Sequence, residues 1–155
     1  MLLRSLFALL VVLPTLSVSA AEDSGINAGS SPFVLIARLH AVSGAADQVV
    51  ALSRAVDQKV EQGEPGMLLH TFDADPDDPL GFIWTEVYAD SQALIFHLNN
   101  PDLTAYLEAV GPLLDVFVVE LYGAVSEEAV AALQSTGTPV THYPNLLGYI
   151  RDLTP

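Results

Sequence analysis

The 155-residue sequence contains no cysteine, and this absence excludes several kinds of structure and chemistry at once. Without thiols the chain has no disulfide framework, no thiolate metal site, no cysteine nucleophile and no cysteine for lipid attachment. Its fold must therefore be held by an apolar core. With 51% hydrophobic residues, the sequence can supply a core of sufficient size.

Basic residues are scarce: 5 Lys and Arg stand against 19 Asp and Glu, which gives a formal net charge of -14. A surface this acidic repels phosphate backbones and anionic lipid headgroups. Nucleic acid is therefore excluded as a partner, and so is a membrane surface once any targeting segment has been removed.

The N-terminus carries an apolar run that is too short to span a bilayer as a helix. Arg4 precedes the apolar residues 6–13, Pro14 interrupts them, and the small residues 18–20 follow. This order is typical of a secretory signal peptide, here predicted over residues 1–20, and it predicts a periplasmic or secreted protein. A retained membrane anchor is the alternative. About 135 residues then remain, which is enough for one domain.

Apolar periodicity in the remaining chain predicts an alternation of strands and helices. After a flexible lead-in over residues 21–32, strands are predicted at 33–40, 67–72, 80–88 and 113–122. The first helix is predicted to begin after Ser43 as N-cap and to end at Gly63, and the second begins after Asp90 and restarts at Asn100. The order β-α-β-β-α-β is that of a ferredoxin-like α+β unit.

Both faces of the predicted sheet are apolar, because alternate residues of a strand point to opposite sides. Phe82 and Trp84 point one way, whereas Ile83 and Val87 point the other. Two helices on one side cover only one of these faces. Burial of the other face favours a partner, so we predict a two-fold homodimer in which two sheets pack face to face.

Residues 124–155 extend beyond this unit, which occupies residues 33–123. Ser126 is predicted to cap a short helix over residues 127–134. The segments 140–143 and 146–150 can add a strand to the sheet or reach across to the other subunit, and the sequence does not decide between these.

The acidic turn between the second and third strands was tested as a calcium loop. Asp73, Asp75 and Asp77 match the first alternate ligands of an EF-hand, but that loop needs glycine at position six and glutamate at position twelve. Those positions are Asp78 and Trp84, so the EF-hand interpretation fails. The four histidines show no metal-binding spacing either, and nucleotide-binding and serine-hydrolase motifs are absent.

Two residues stand out as candidates for chemistry. His97 lies on the apolar face of its helix, where it is either a buried structural histidine or a functional one. Glu86 shares a strand face with aromatic residues, and a buried carboxylate needs a partner, for which His97, Arg38 and Tyr122 are the candidates. A structural ion pair is the alternative role for Glu86.

Four pieces of sequence occur in an order and spacing that resembles the antibiotic biosynthesis monooxygenase family. They are the turn Glu64-Pro65-Gly66, the acidic hairpin, the strand Trp84-Thr85-Glu86-Val87-Tyr88 and the helix carrying His97-Leu98. The resemblance covers roughly residues 33–122. It implies a dimeric α/β barrel and a reaction that uses no flavin, haem or metal.

The resemblance implies a cofactor-independent monooxygenase acting on a quinol or phenolic small molecule, and the predicted signal peptide adds that this enzyme is exported. Such an enzyme needs a base, an apolar pocket and exclusion of water. We assign His97 as base and Glu86 as the residue that orients it. The predicted substrate-binding residues are Trp84, Tyr88, Tyr106 and His70.

Two other functions were weighed. Related haem-degrading enzymes carry an iron-ligating histidine where this chain has residues 106–108, Tyr-Leu-Glu, so haem degradation is disfavoured. The alternative from a different class is a non-catalytic dimer of the same fold that binds a small aromatic or lipid-like molecule.

Overall fold

The computed structural model describes residues 26–151; the predicted signal peptide, residues 21–25 of the lead-in and residues 152–155 lie outside the described residues. The helices and strands, in chain order, are β1 (Phe33–Ala41), α1 (Ala46–Gly63), β2 (Met67–Ala74), β3 (Gly81–Tyr88), α2 (Ser91–Leu98), α3 (Pro101–Val110), β4 (Leu114–Tyr122), α4 (Glu127–Gln134) and β5 (Val140–Tyr143). A short 3₁₀ turn, Gly111–Leu113, links α3 to β4.

The five strands form one sheet in the order β2-β3-β1-β4-β5. The first four strands pair antiparallel, and β5 adds to β4 in parallel. The order β2-β3-β1-β4, with its two helical crossovers, is that of a ferredoxin-like unit, so the predicted α+β fold is confirmed.

All helices cover the same face of the sheet. In β1 the buried residues Phe33, Leu35, Ala37 and Leu39 alternate with more exposed ones, as expected where only one face packs on a core. Helix α1 packs on α3, and α4 packs on α2, so the helices form one layer over the sheet.

The prediction that Ser43 caps α1 is wrong. The helix begins at Ala46 and its N-cap is Ala45, which makes no side-chain capping hydrogen bond. Gly44 lies between them with a φ of +86°, a left-handed conformation that glycine adopts readily. This turn separates Ser43 from the first amides of the helix, so its hydroxyl does not serve them.

The predicted caps of the later helices are confirmed. Asp90 accepts a hydrogen bond from the Ala93 amide at 2.9 Å, and Asn100 accepts one from the Asp102 amide at 2.9 Å. Ser126 accepts one from the Ala129 amide at 3.3 Å. These contacts satisfy amides that have no partner within their own helix.

Removing the capping side chain of α2 should lower the stability of the protein measurably. We expect Asp90→Ala to lower the free energy of unfolding by about 1 kcal/mol, because the first turn of α2 loses its side-chain acceptor. Urea denaturation measures the change. Gln92→Ala, at an exposed position of the same helix, is the control and should leave the stability nearly unchanged.

The C-terminal extension joins the subunit's own sheet. β5 pairs with β4 from Val119 to Tyr122, which decides the open question for residues 140–143. Helix α4 is anchored by the buried Val125, Ala129 and Leu133. The following residues add no strand, and Leu146, Leu147 and Tyr149 are largely exposed.

The sheet face without helices, here called the open face, is rich in apolar side chains. Strand register places Val34, Ile36, Ile83, Val87 and Val118 together on it. Each of these residues is only partly buried in the single subunit. None of the helices within residues 26–151 is both long and apolar enough to cross a membrane.

Candidate functional site

A cavity lies between the helix layer and the sheet. It encloses about 600 Å³ when its open mouth is included, and about 60 Å³ of it is accessible to the centres of water molecules. Its walls include all six residues that the sequence singled out, namely His70, Trp84, Glu86, Tyr88, His97 and Tyr106. Most of the remaining wall is aliphatic, so the cavity is an apolar space with a few convergent polar groups.

His97 reaches the cavity from α2 and is held by a carboxylate. Its Nδ1 lies 2.8 Å from Oε2 of Glu64, and the Asn100 amide donates to Oε1 of Glu64 at 2.5 Å. The side chains of His97 and Glu64 are only 6% and 2% exposed. When the imidazole is neutral, Nδ1–H donates to Glu64, which leaves the lone pair of Nε2 for a group in the cavity.

Glu64, rather than Glu86, therefore orients His97, which corrects the role that we assigned to Glu86. Glu64 follows the last turn of α1 within the Glu-Pro-Gly turn. Its backbone amide still bonds to the Val60 carbonyl, which fixes the carboxylate beside α2. The sequence marked this glutamate as part of the family resemblance but did not indicate that it faces His97.

The pair perturbs the pKa values of both members. Burial would lower the pKa of His97, but the hydrogen bond that its Nδ1–H donates to Glu64 and the negative charges of Glu86 and Glu64 raise this pKa above the usual 6.5. Burial would raise the pKa of Glu64, but its bond to His97 and the nearby histidine charges lower it below 4.5. Protonated His97 and ionised Glu64 thus stabilise each other.

The pH dependence of the folded state follows from these directions. Stability from His97 is fully present below pH 6.5 and is lost as the pH rises through its higher folded pKa. Stability from Glu64 is present above pH 4.5 and is lost as the pH falls through its lower folded pKa. The pair therefore contributes most between these two values.

Glu64→Gln is expected to lower the pKa of His97, because burial then acts without the opposing charge of its partner. An NMR titration of the four histidine side chains measures this, with the His97 signals assigned through His97→Asn. The His142 midpoint is the internal control. An unchanged His97 midpoint in the variant would contradict the pairing.

Glu86 has a different partner from those predicted. The Tyr88 hydroxyl donates to Oε2 of Glu86 at 2.6 Å, which is possible because residues two apart on a strand share a face. Burial and the charge of Glu86 raise the pKa of Tyr88 well above 10, so this hydroxyl keeps its proton. The other two predicted partners lie on the open face, away from Glu86. Arg38 pairs with Glu120 at 3.1 Å, and the Tyr122 ring stacks against Tyr143.

His70 brings a second histidine to the cavity from β2. Its ring stacks on Trp84 with centroids 4.1 Å apart, and its Nδ1 lies 2.8 Å from Oδ1 of Asp57. Its Nε2 is 3.8 Å from Oε1 of Glu86, and its ring centroid is 6.3 Å from that of His97. The site thus holds two imidazoles, each with a carboxylate on Nδ1.

Tyr106 closes the cavity from α3. Its hydroxyl accepts from Nε1 of Trp84 at 3.2 Å and lies 3.0 Å from the hydroxyl of Ser53. Burial raises its pKa above 10, so it remains a neutral phenol. These bonds hold the indole plane of Trp84, against which the His70 ring is stacked.

Three residues of the site were not predicted: Glu64 as the partner of His97, Asp57 as the partner of His70, and Ser53. The latter two lie on α1, one helical turn apart, where polar residues interrupt an otherwise apolar stripe. That interruption was the available signal. Within residues 26–151, no three His, Asp or Glu side chains converge to form a site that could hold a metal ion.

The fold and cavity define a small ferredoxin-like domain with a largely apolar cavity between its helices and its sheet. The profile of the family antibiotic biosynthesis monooxygenase matches residues 32–109, half of the sequence. The chain belongs to this family, as its sequence motifs indicated.

Solved structures agree with this assignment. MupZ from Pseudomonas fluorescens is 16% identical with a TM-score of 0.64, over 81% of this chain and 98% of that one. PA3566 from Pseudomonas aeruginosa is 26% identical with a TM-score of 0.55, over 59% and 92%. SO0527 from Shewanella oneidensis is 22% identical with a TM-score of 0.57, over 63% and 92%. No curated protein matches the sequence.

Proposed function

We propose that this protein is a cofactor-independent monooxygenase that oxidises a quinol or phenolic aromatic molecule. The observation that carries the proposal is the buried His97–Glu64 pair, which leaves Nε2 of His97 available at an apolar cavity. A base of this kind is what a phenolic substrate needs, because only the deprotonated phenolate readily gives an electron to dioxygen.

The first step moves the proton of the substrate hydroxyl to Nε2 of His97, while Glu64 stabilises the imidazolium that forms. The phenolate then transfers an electron to dioxygen, and the two radicals combine. The peroxide forms at a ring carbon that carries a hydrogen, and its O–O bond then breaks. One oxygen stays on that carbon as a carbonyl, and the other leaves as water with the hydrogen of that carbon and the proton returned from His97. A simple quinol instead loses two electrons and two protons, giving a quinone and hydrogen peroxide.

The surroundings of His97 suit an aromatic substrate. Trp84 and Tyr106 supply flat apolar walls, and a planar ring gains from stacking against them. The developing negative charge lies near the carboxylates Glu64 and Glu86, which oppose it. His70 offsets this opposition when both of its ring nitrogens carry protons: Nδ1–H then donates to Asp57, and Nε2–H can donate to an oxyanion in the cavity.

A non-catalytic binding protein of the same fold is the second candidate. In its favour, every buried side-chain polar atom of the described residues already has a partner or access to solvent. Such a pocket binds an aromatic ring without requiring any chemistry.

Aerobic incubation with menadiol, monitored with an oxygen electrode, separates the two candidates. A monooxygenase consumes many equivalents of dioxygen per subunit above the rate of autoxidation. A binding protein saturates at one equivalent of ligand and leaves the background rate unchanged, which would overturn the proposed reaction.

We further propose that the protein is exported and dimeric. The predicted signal peptide supports export, and the apolar open face supports a face-to-face dimer. N-terminal sequencing of the protein from a periplasmic fraction tests the first, with a mature start near residue 21 expected. Recovery of the uncleaved chain in the cytoplasm would contradict it.

A further inference from the structure

A second, more open pocket adjoins the cavity at the C-terminal end of α3 and is here called the outer pocket. Both spaces are lined by Leu107, Phe117, Thr136 and Thr138. The outer pocket, but not the cavity, is also lined by Gly111 and Leu114. The outer pocket leaves about 290 Å³ to the centres of water molecules, against about 60 Å³ in the cavity.

These sizes indicate what each space can hold. The volume in the cavity corresponds to about four to six water positions, which suits a single compact ring system. The outer pocket is larger, with Leu107, Leu114 and Phe117 as apolar walls. Of the polar groups at its rim, Asp115 is paired with His40 at 2.6 Å, and the Thr136 hydroxyl donates to the Leu133 carbonyl at 2.7 Å.

We infer that the substrate is a ring bearing an apolar chain, with the ring at His97 and the chain in the outer pocket. The identity of the ring rests on the proposed function. The position of the substrate's apolar chain follows from the residues that line both the cavity and the outer pocket. Apart from Leu107, the outer pocket is built from residues after position 109, where the family match ends. The preference for an apolar chain thus depends on the end of α3, on β4 and on the segment after α4.

Gly111 offers a way to fill the outer pocket. Its helical backbone, with a φ of -49°, is disfavoured for a residue with a side chain before Pro112, so the stability of the variant is measured beside its binding. A Cβ placed there meets no atom within 4 Å outside its two chain neighbours. Gly111→Phe therefore puts an aromatic ring in the space assigned to the chain. Ala109→Phe adds the same ring at an exposed position of α3 that lines neither space, and serves as the control.

The sole tryptophan of the chain, Trp84, lies in the cavity wall and reports binding by fluorescence. Two probes that are already oxidised and therefore do not consume dioxygen are compared, a benzoquinone bearing a decyl chain and the same benzoquinone without it, with free tryptophan as the inner-filter control. For the wild type we expect the decyl compound to bind at least about tenfold more tightly, because its buried methylenes leave water.

In Gly111→Phe this advantage should fall below about threefold, with the dissociation constant of the chainless quinone little changed. Ala109→Phe should keep the wild-type ratio. The inference would be overturned if the wild type bound the two quinones with equal affinity. It would also be overturned if Gly111→Phe kept the full wild-type preference for the decyl compound.

This test is separate from turnover. If the expected binding pattern holds while menadiol causes no dioxygen uptake, the proposed reaction fails and the outer pocket stands. If the chainless quinone does not bind at all, the ring site and the inference both fail. Circular dichroism establishes that each variant is folded.

Discussion

His97→Asn is expected to lower kcat for quinol-dependent dioxygen uptake by about 10²–10⁴-fold, the usual contribution of a general base. The asparagine amide occupies the place of Nδ1 and can still donate to Glu64, so the buried carboxylate keeps a partner. What the variant loses is Nε2, the atom proposed to accept the substrate proton. An oxygen electrode measures the rate above autoxidation.

His142→Asn is the matched control, because His142 bonds to the Gly123 carbonyl in the C-terminal extension and does not line the cavity. It should retain wild-type activity. If folded His97→Asn retained more than about a tenth of the wild-type rate, His97 would not be the base.

Val118→Asp is expected to weaken dimerisation by at least about 100-fold. Val118 lies on the open face opposite Arg38 of β1, and a two-fold axis would bring two copies of the new carboxylate into one apolar interface. Arg38 is already paired with Glu120, so the new carboxylate has no cation of its own. Burying such a charge costs several kcal/mol, and about 2.7 kcal/mol already corresponds to this factor. Sedimentation equilibrium over a range of micromolar concentrations measures the dissociation constant.

Phe96→Asp provides the control for the loss of an exposed apolar residue. Phe96 is 58% exposed on α2, on the opposite side of the sheet from the open face. Its replacement should leave the dissociation constant unchanged. A wild-type protein that sediments as a monomer throughout this range would contradict the dimer itself.

The fold was predictable because its signals are local. The alternation in β1, the caps at Asp90 and Asn100, and the Pro-Gly turn before β2 each act within a few residues. The wrong prediction for Ser43 also came from a local signal, a capping residue shortly before a helix. The turn at Gly44 moves Ser43 away from the helix, and that turn depends on the backbone conformation of Gly44, which the sequence does not show.

Within the site, the sequence identified the residue types and the structure identified the partners. Alternation along β3 placed Glu86 beside Trp84 and Tyr88, and helical periodicity placed His97 on an apolar face. The partnership of His97 with Glu64 joins residues 33 positions apart, and that of His70 with Asp57 joins β2 to α1. Such contacts depend on how the helices pack against the sheet.

Capping residues and strand periodicity were thus sufficient for the order of the elements, and the resemblance of a few short motifs indicated the family and six of the residues that line the cavity. Each of these depends on neighbours along the chain. Tertiary packing alone determined which carboxylate serves which histidine, and it placed the outer pocket beside the cavity. Both depend on distances between side chains from separate elements, and sequence spacing does not specify those distances.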